Sequence, residues 1–231
     1  MMTSFIGIIS ILLTIIFYYC SKALYGRFRF VLFSPLLVAP AALIIGLLTF
    51  HISYSSYITG GKWLTVLLQP AIVAFALPLY KHYETLKKHF PEIVLSVLAG
   101  TFSAFLSSAL LGLLANFQPQ IIASLAPRSV TTPIAIDVSN NLGGVPSLTA
   151  VFVILTGLMG LVIGPLLIRF LHLHSPIAKG ILLGTGAHGC GTSAALTLGS
   201  LEGTIASLAM IFAGLATIIL APVVFPLLLK L

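Results

Sequence analysis

Residues 127–146, PRSVTTPIAIDVSNNLGGVP, and residues 184–199, GTGAHGCGTSAALTLG, place glycine, proline and small polar residues inside an otherwise apolar chain. A helix interrupted at membrane depth frees backbone N–H and C=O groups that hydrocarbon cannot satisfy. It persists only where protein or a water-filled cavity receives them. In secondary transporters such interruptions mark the substrate site. These two stretches therefore decide both how the chain crosses the bilayer and where its chemistry sits.

Of the 231 residues, 59% are hydrophobic and 6% charged, with a mean hydropathy of +1.18; soluble domains carry about a quarter charged residues. The chain reads as an all-α integral membrane protein, a polytopic helical bundle forming one domain over residues 1–231. Apolar runs of spanning length, about 20 residues, occupy 1–21, 30–62, 63–80, 93–127, 148–168, 181–201 and 203–229. The first run lacks a basic leader and a small-residue cleavage site, so it reads as a retained helix. The formal charge is +7, but the basic residues form short clusters between apolar runs. That is the positive-inside pattern, with no continuous basic face for nucleic acid; membrane lipid is the partner it implies. Cys20 and Cys190 are too few for a disulfide framework or thiolate metal site and read as small packing residues.

The clusters Lys22, Arg27 and Arg29, then Lys81, Lys87 and Lys88, then Arg169 and Lys179, assign three loops to the cytoplasm. Residues 51–61 and 116–120 then fall outside, and Trp63, Tyr18, Tyr19, Tyr54 and Tyr57 read as interfacial anchors. Parity requires residues 116–146 to leave and return on one side. Residues 121–126 dip in, Pro127 breaks the helix, and Ser129 or Thr131 caps a second half-helix over 132–140. The pattern repeats inverted: 147–169 crosses, 176–183 enters, 186–191 breaks, and 192–199 continues behind Thr192 and Ser193 as caps. Two broken or re-entrant helices thus form an inverted-topology repeat, 91–141 and 147–200, between N-terminal helices (1–90) and a C-terminal helix (203–231). In the alternative, 176–201 crosses once as a kinked helix and Lys230 lies inside. Gly160 with Gly164, and Gly180 with Gly184, have the spacing that lets helix backbones approach. Pro70 and Pro78 interrupt the third run as kinks without chemistry.

Arg128, Thr131, Thr132, Asp137, Asn140 and Asn141 cluster on the first break as candidate substrate-binding residues. Intramembrane ionisable groups face a cavity or one another, and the arginine fork suits a carboxylate. Asp137 either carries a coupled proton or serves as the counter-ion of Arg128; Asn140 and Asn141 bind substrate oxygens or cap the helix. On the second break Gly186, Gly189 and Gly191 let the backbone unwind towards a ligand, with Thr192 and Ser193 beside them. His188 donates to a carboxylate or relays a proton there, or else packs against a carbonyl. Gly184, Gly186 and Gly189 spell GxGxxG, but no strand precedes them as dinucleotide binding requires. His172, His174, His82 and His89 lack metal-site spacing and no serine has a matched base, so no metal, cofactor or enzymatic activity is expected. Glu84 and Glu92 read as offsetting Lys87 and Lys88, and Glu202 as marking a helix start.

Leu77-Pro-Leu-Tyr-Lys81, Arg128-Ser-Val-Thr-Thr-Pro-Ile-Ala135 and Gly184-Thr-Gly-Ala-His-Gly-Cys-Gly-Thr-Ser193 together resemble the LrgB/CidB family of bacterial membrane proteins, over essentially the whole chain. The resemblance implies a multi-pass protein of the bacterial cell membrane. It carries two functions: antiholin-like or holin-like modulation of murein hydrolase activity and lysis, and transport of small monocarboxylates. The second comes from similarity to the C-terminal part of the plastidal glycolate/glycerate translocator and from bacterial relatives linked to pyruvate uptake. It also implies a separate LrgA/CidA-like membrane subunit and leaves room for a homo-oligomer.

Overall fold

The computed structural model describes residues 2–28, 33–67, 70, 73–74 and 76–230, and among these every regular element is helical. The chain divides into two compact units, Met1–Ala76 and Leu77–Leu231. Among the described residues four helices are long and apolar enough to cross a bilayer: Gly7–Phe28, Phe90–Leu114, Pro146–Phe170 and Ser200–Leu228.

The first unit holds α1 (Met2–Phe28), α2 (Pro35–Thr49) and α3 (Tyr54–Val66). α1 and α3 meet through glycines, since a methyl on Gly60 would strike the Gly7 carbonyl. The Thr14 and Tyr57 hydroxyls add a 2.9 Å hydrogen bond, so Tyr57 clamps two helices and is not simply an interfacial anchor. Of residues 51–61, those from Tyr54 on belong to α3. Ser53 caps α3, its Oγ accepting from the Ser56 N–H at 3.2 Å. Lys22 and Arg27 lie exposed within α1 rather than beyond it; their long stems carry the charge to water from a helix end. Cys20 is exposed rather than packed. The run 63–80 falls partly outside the described residues, including both flanks of Pro70.

The second unit contains α4 (Ala76–Lys81), α5 (Tyr83–Lys88), α6 (Phe90–Leu114), α7 (Pro119–Leu125), α8 (Thr132–Asn141), α9 (Pro146–Phe170), α10 (Pro176–Leu198) and α11 (Ser200–Leu228). α7 and α8 form a hairpin. Gly112 packs on Ile122 and Ser108 bonds Arg128, so the chain retraces α6 towards its middle. After the turn at 126–131, α8 returns, and Val138 joins Phe105, Ala109 and Ile122 in one core. At the base, the Val145 N–H donates to Ser124 Oγ and the Thr149 hydroxyl to Ser139 Oγ, each at 2.7 Å. α8 stops where Gly143 takes φ +81°, and the Gly143 and Gly144 N–H groups donate back to the Asn140 and Ser139 carbonyls. Glycine permits that left-handed closure.

α10 is broken at Ala187 (φ −136°, ψ 19°) and His188 (φ 40°, ψ −127°), within the expected 186–191 interval but confined to two residues. Its halves fold back on each other: a methyl on Gly191 would overlap the Leu183 carbonyl, and Leu183, Ala195 and Ala206 share a core. Residues 183 and 191 of a straight helix would stand about 12 Å apart. Gly180 packs on Ile205 and Gly203 on Leu196, so both ends of α10 lie beside the first turns of α11. The two arms of α10 therefore form a hairpin, the arrangement expected of a re-entrant segment, rather than one kinked rod. α11 then spans the unit, from Ser200 against His82 (3.1 Å) to Ala221, Phe225 and Leu228, which pack with the first hairpin. The C-terminal end of α11 therefore lies at the opposite end of the unit from His82. Both GxxxG pairs are packing seams: Gly160 and Gly164 admit Ala187 and Leu183, and Gly180 and Gly184 admit Ile205 and Ala206. Thr192 caps nothing; its hydroxyl donates to the His188 carbonyl at 3.0 Å, and Ser193 is exposed.

The tip of α10 is tied to α9 by His188, whose Nε2 lies 3.1 Å from the Val153 carbonyl. A carbonyl only accepts, so Nε2 carries the hydrogen and in the neutral ring Nδ1 holds the lone pair. His188 also holds a φ that side-chain-bearing residues rarely adopt.

Two outcomes check this geometry. On a Cys20→Ser, Cys190→Ala background, His174→Cys and Ser200→Cys should both react with an impermeant thiol reagent from the same face of the membrane; opposite faces would mean a single crossing. His188→Ala should lower stability by about 1–3 kcal/mol, from the lost hydrogen bond and the space left by a buried ring, read as a fall in Tm in detergent. His188→Gly, which adopts φ 40° and ψ −127° without steric cost, should fall less than its lost contacts alone imply.

Candidate functional site

The two hairpins enter the second unit from opposite ends, and their tips meet on one short stretch of α9. Val153 holds His188, Thr156 holds Arg128, Gly157 makes room for the His188 ring and the Cys190 thiol, and Gly160 admits Ala187. From Val153 to Gly160 is about 10 Å of helix. A methyl on Gly157 would come within 2.7 Å of Cys190 Sγ and 2.9 Å of His188 Cε1, so the packing of the second tip depends on that glycine.

Arg128 is half-buried at the first tip. Its Nε donates to Ser108 Oγ at 2.8 Å and an Nη to Thr156 Oγ1 at 3.3 Å. Each hydroxyl donates its own hydrogen one turn back, Ser108 to the Ala104 carbonyl at 2.6 Å and Thr156 to the Phe152 carbonyl at 2.8 Å. Both oxygens are thereby fixed as acceptors. Two of the five guanidinium donors are used, both on neutral partners, which orient the charge without cancelling it.

Asp137 is not the counter-ion of Arg128. Among the described residues no carboxylate lies within ion-pair distance of Arg128, and Asp137 sits on the exposed face of α8, away from the buried Ala135 and Val138. Glu92 Oε2 lies 2.7 Å from His89 Nδ1. Thr131 occupies the N-cap position of α8 but makes no side-chain cap bond, and Ser129 is buried in the turn. The first N–H groups of α8, at Thr132 and Ile134, thus lack a side-chain cap beside Arg128, at the positive end of a half-helix. Asn140 and Asn141 lie exposed at the far end of α8, about 13 Å along it from Thr131.

A cavity of about 640 Å³ joins the tips, lined by Arg128 and by Thr156 and Gly160 of α9, with Gly186 and Ala187 from α10. The rest of its wall is apolar, including Phe152, Leu155 and Met159. His188 lies beneath this surface rather than on it, 7% exposed; its ring serves the Val153 carbonyl. Gly191 and Thr192 are buried within the hairpin, and Gly189 is partly buried. Sequence reasoning missed Ser108 and Thr156, because serine and threonine within apolar helices carry no spacing signal for a partner twenty or more residues away.

The description of the LrgB-like family matches residues 14–227. The chain is 52% identical over 218 residues to the Uncharacterized protein YwbG of Bacillus subtilis (strain 168), covering 94% of this chain and 97% of that one. It is 40% identical to the Uncharacterized protein YxaC of the same organism, covering 89% of each. It is 36% identical over 217 residues to the Holin-like protein CidB of Staphylococcus aureus (strain N315), covering 94% of this chain and 95% of CidB. No solved structure matches. With its membrane-spanning helices and this similarity along nearly its full length, the chain belongs to the LrgB-like family of multi-pass bacterial membrane proteins.

Proposed function

We propose that this protein carries small monocarboxylates of the pyruvate, glycolate or glycerate class across the membrane, acting with an LrgA/CidA-type subunit. The observation that carries this reading is a guanidinium held by two neutral hydroxyls, without a carboxylate partner among the described residues, facing a cavity between two opposed hairpin tips. A buried cation is costly in hydrocarbon, and an anion from solution is what would offset it. The planar fork suits a carboxylate, and the uncapped start of α8 adds a positive dipole end. On this reading the helix-plus-hairpin segments 91–141 and 147–200 are an inverted pair, and their relative movement alternates access to Arg128. The α5 end, with Lys87 and Lys88, is then cytoplasmic. Gly186 lines the cavity with Arg128; Thr131, Thr132 and Gly189 lie outside its wall and would join the site only as the hairpins move. His188, Gly191 and Thr192 position the second tip, while Asp137, Asn140, Asn141 and Ser193 remain exposed groups that an adjoining subunit or a moving hairpin would have to bring in.

The second reading is holin-like or antiholin-like action on lysis. The CidB relatives of Staphylococcus aureus are named holin-like, which favours it.

Uptake of labelled pyruvate and glycolate into vesicles, with and without the partner subunit, separates the two. Arg128→Ala should cut uptake by about 10- to 100-fold, the worth of a lost charge-assisted hydrogen bond. Arg128→Lys should fall between, because a point charge cannot reproduce the fork. Lysis effects that persist in Arg128→Ala, with no carboxylate moved by the parent chain, would establish the holin-like reading instead.

A further inference from the structure

On the other face of the first arm of α10 lies a second cavity, of about 590 Å³. His89 and Glu92 stand at its mouth, Ser96 and Gly100 of α6 and Thr185 of α10 form its walls, and it reaches Ala104 and Gly186. Gly186 also lines the Arg128 cavity. The Ala104 carbonyl accepts from the Ser108 hydroxyl, the same group that accepts from Arg128. The second cavity thus ends about one helical turn of α6, roughly 6 Å, short of the residue that holds the guanidinium. The opposite end of the unit is filled by Phe105, Ile122, Val138 and Phe225.

Thr185 stands out along this passage. It is 6% exposed, and its Oγ1 has no hydrogen-bond partner. By contrast the buried hydroxyls of Thr192, Thr204 and Thr217 each donate to the carbonyl one turn back. Leaving a buried hydroxyl unpaired costs about 1–3 kcal/mol; the Thr185 oxygen is closed off in this conformation although the residue lines the cavity, so a turn about its Cα–Cβ bond is what would present the hydroxyl to a polar visitor and recover that cost. Thr101 is also buried and unpaired, but it lines neither cavity. The wall at Thr185 is thin because α6 has Gly100 there: a methyl on Gly100 would lie 3.0 Å from Thr185 Cγ2.

We propose, resting on the carboxylate-transport reading, that this cavity is the access vestibule from the His89 end to Arg128, and that the Thr185 hydroxyl is a transient contact for the carboxylate on its way. A hydroxyl both donates and accepts, so it hydrogen-bonds a carboxylate oxygen without adding a second charge that would trap the anion. Arg128 supplies the attraction and Thr185 an intermediate step.

The test uses the full chain in proteoliposomes on the Cys20→Ser, Cys190→Ala background, with Ser96→Cys or Ala104→Cys added. Anionic and cationic methanethiosulfonates are applied from one side. Ala104→Cys should react from the same face as Ser96→Cys, and on the order of tenfold faster with the anionic reagent because Arg128 focuses anions there. Arg128→Ala should abolish that preference. An Ala104→Cys chain that is folded by its melting profile yet unreactive, while Ser96→Cys reacts, means a blind pocket and overturns the route. Pyruvate should slow the Ala104→Cys reaction. Thr185→Val should raise the half-protecting pyruvate concentration on the order of tenfold, and Thr185→Ser should restore it. Equal protection in Thr185→Val overturns the role of Thr185. Labelling and protection need no net transport, so a chain that shows both but accumulates no pyruvate keeps the vestibule and overturns the transport reading.

Discussion

Hydrocarbon supplies no hydrogen bonds, so a helix may stop inside a bilayer only where the protein itself receives the freed backbone groups. Two helices stop inside this unit, and α9 serves both. The Val153 carbonyl is bonded by His188, the Thr156 hydroxyl by Arg128, and Gly157 and Gly160 let the second tip lie against the α9 surface. Larger residues at those glycines would hold α10 away from α9 and leave the tip of α10 without its carbonyl partner. The polar centre of this unit exists because α9 offers a threonine hydroxyl, a backbone carbonyl and two glycines over two turns.

From that contact the rest follows by geometry. The first hairpin lies along α6 with its base stitched by Ser124, Ser139 and Thr149; the second lies along α11, with Gly180 and Gly184 seated on Ile205 and Ala206. Each hairpin is gripped along its arms by close helix packing, and only its tip is left to meet the cavity. Rigid arms with an exposed polar tip hold a charge at a fixed depth. The strained His188 backbone is sustained by the packing around it, as backbone outliers at functional sites generally are.

The charge pattern is unusual in its incompleteness. With four acidic residues in the whole chain, none reaches Arg128, and the hydroxyls that hold it are neutral. A protein that used this arginine only as a structural strut would gain more by pairing it, since an uncompensated intramembrane charge is costly. The membrane-spanning architecture and the family are common ground for both functional readings. The guanidinium without a carboxylate partner is the group on which the transport proposal rests, and the holin-like name of the CidB relatives is what favours the other reading.

Much of this was legible in the residues themselves. Composition determined a helical membrane protein, glycine and proline marked both breaks, charge parity required the first hairpin to return, and GxxxG spacing identified the packing seams. The motifs around Arg128 and His188 carried the family. These are local signals, set by hydropathy and by the backbone needs of single residues. The return of the second hairpin was read from hydropathy and break position with a single kinked crossing left open, because Glu202 and Lys230 are too few to orient a segment by charge, and the turn of His188 towards a carbonyl was one of two open readings. The partners of Arg128 and the exposure of Asp137 were not legible. Each depends on which faces of helices distant in sequence come together. Helical periodicity fixes the angle of a side chain around its own axis but not what stands opposite, and only tertiary packing supplied Ser108, Thr156 and Val153 at those places.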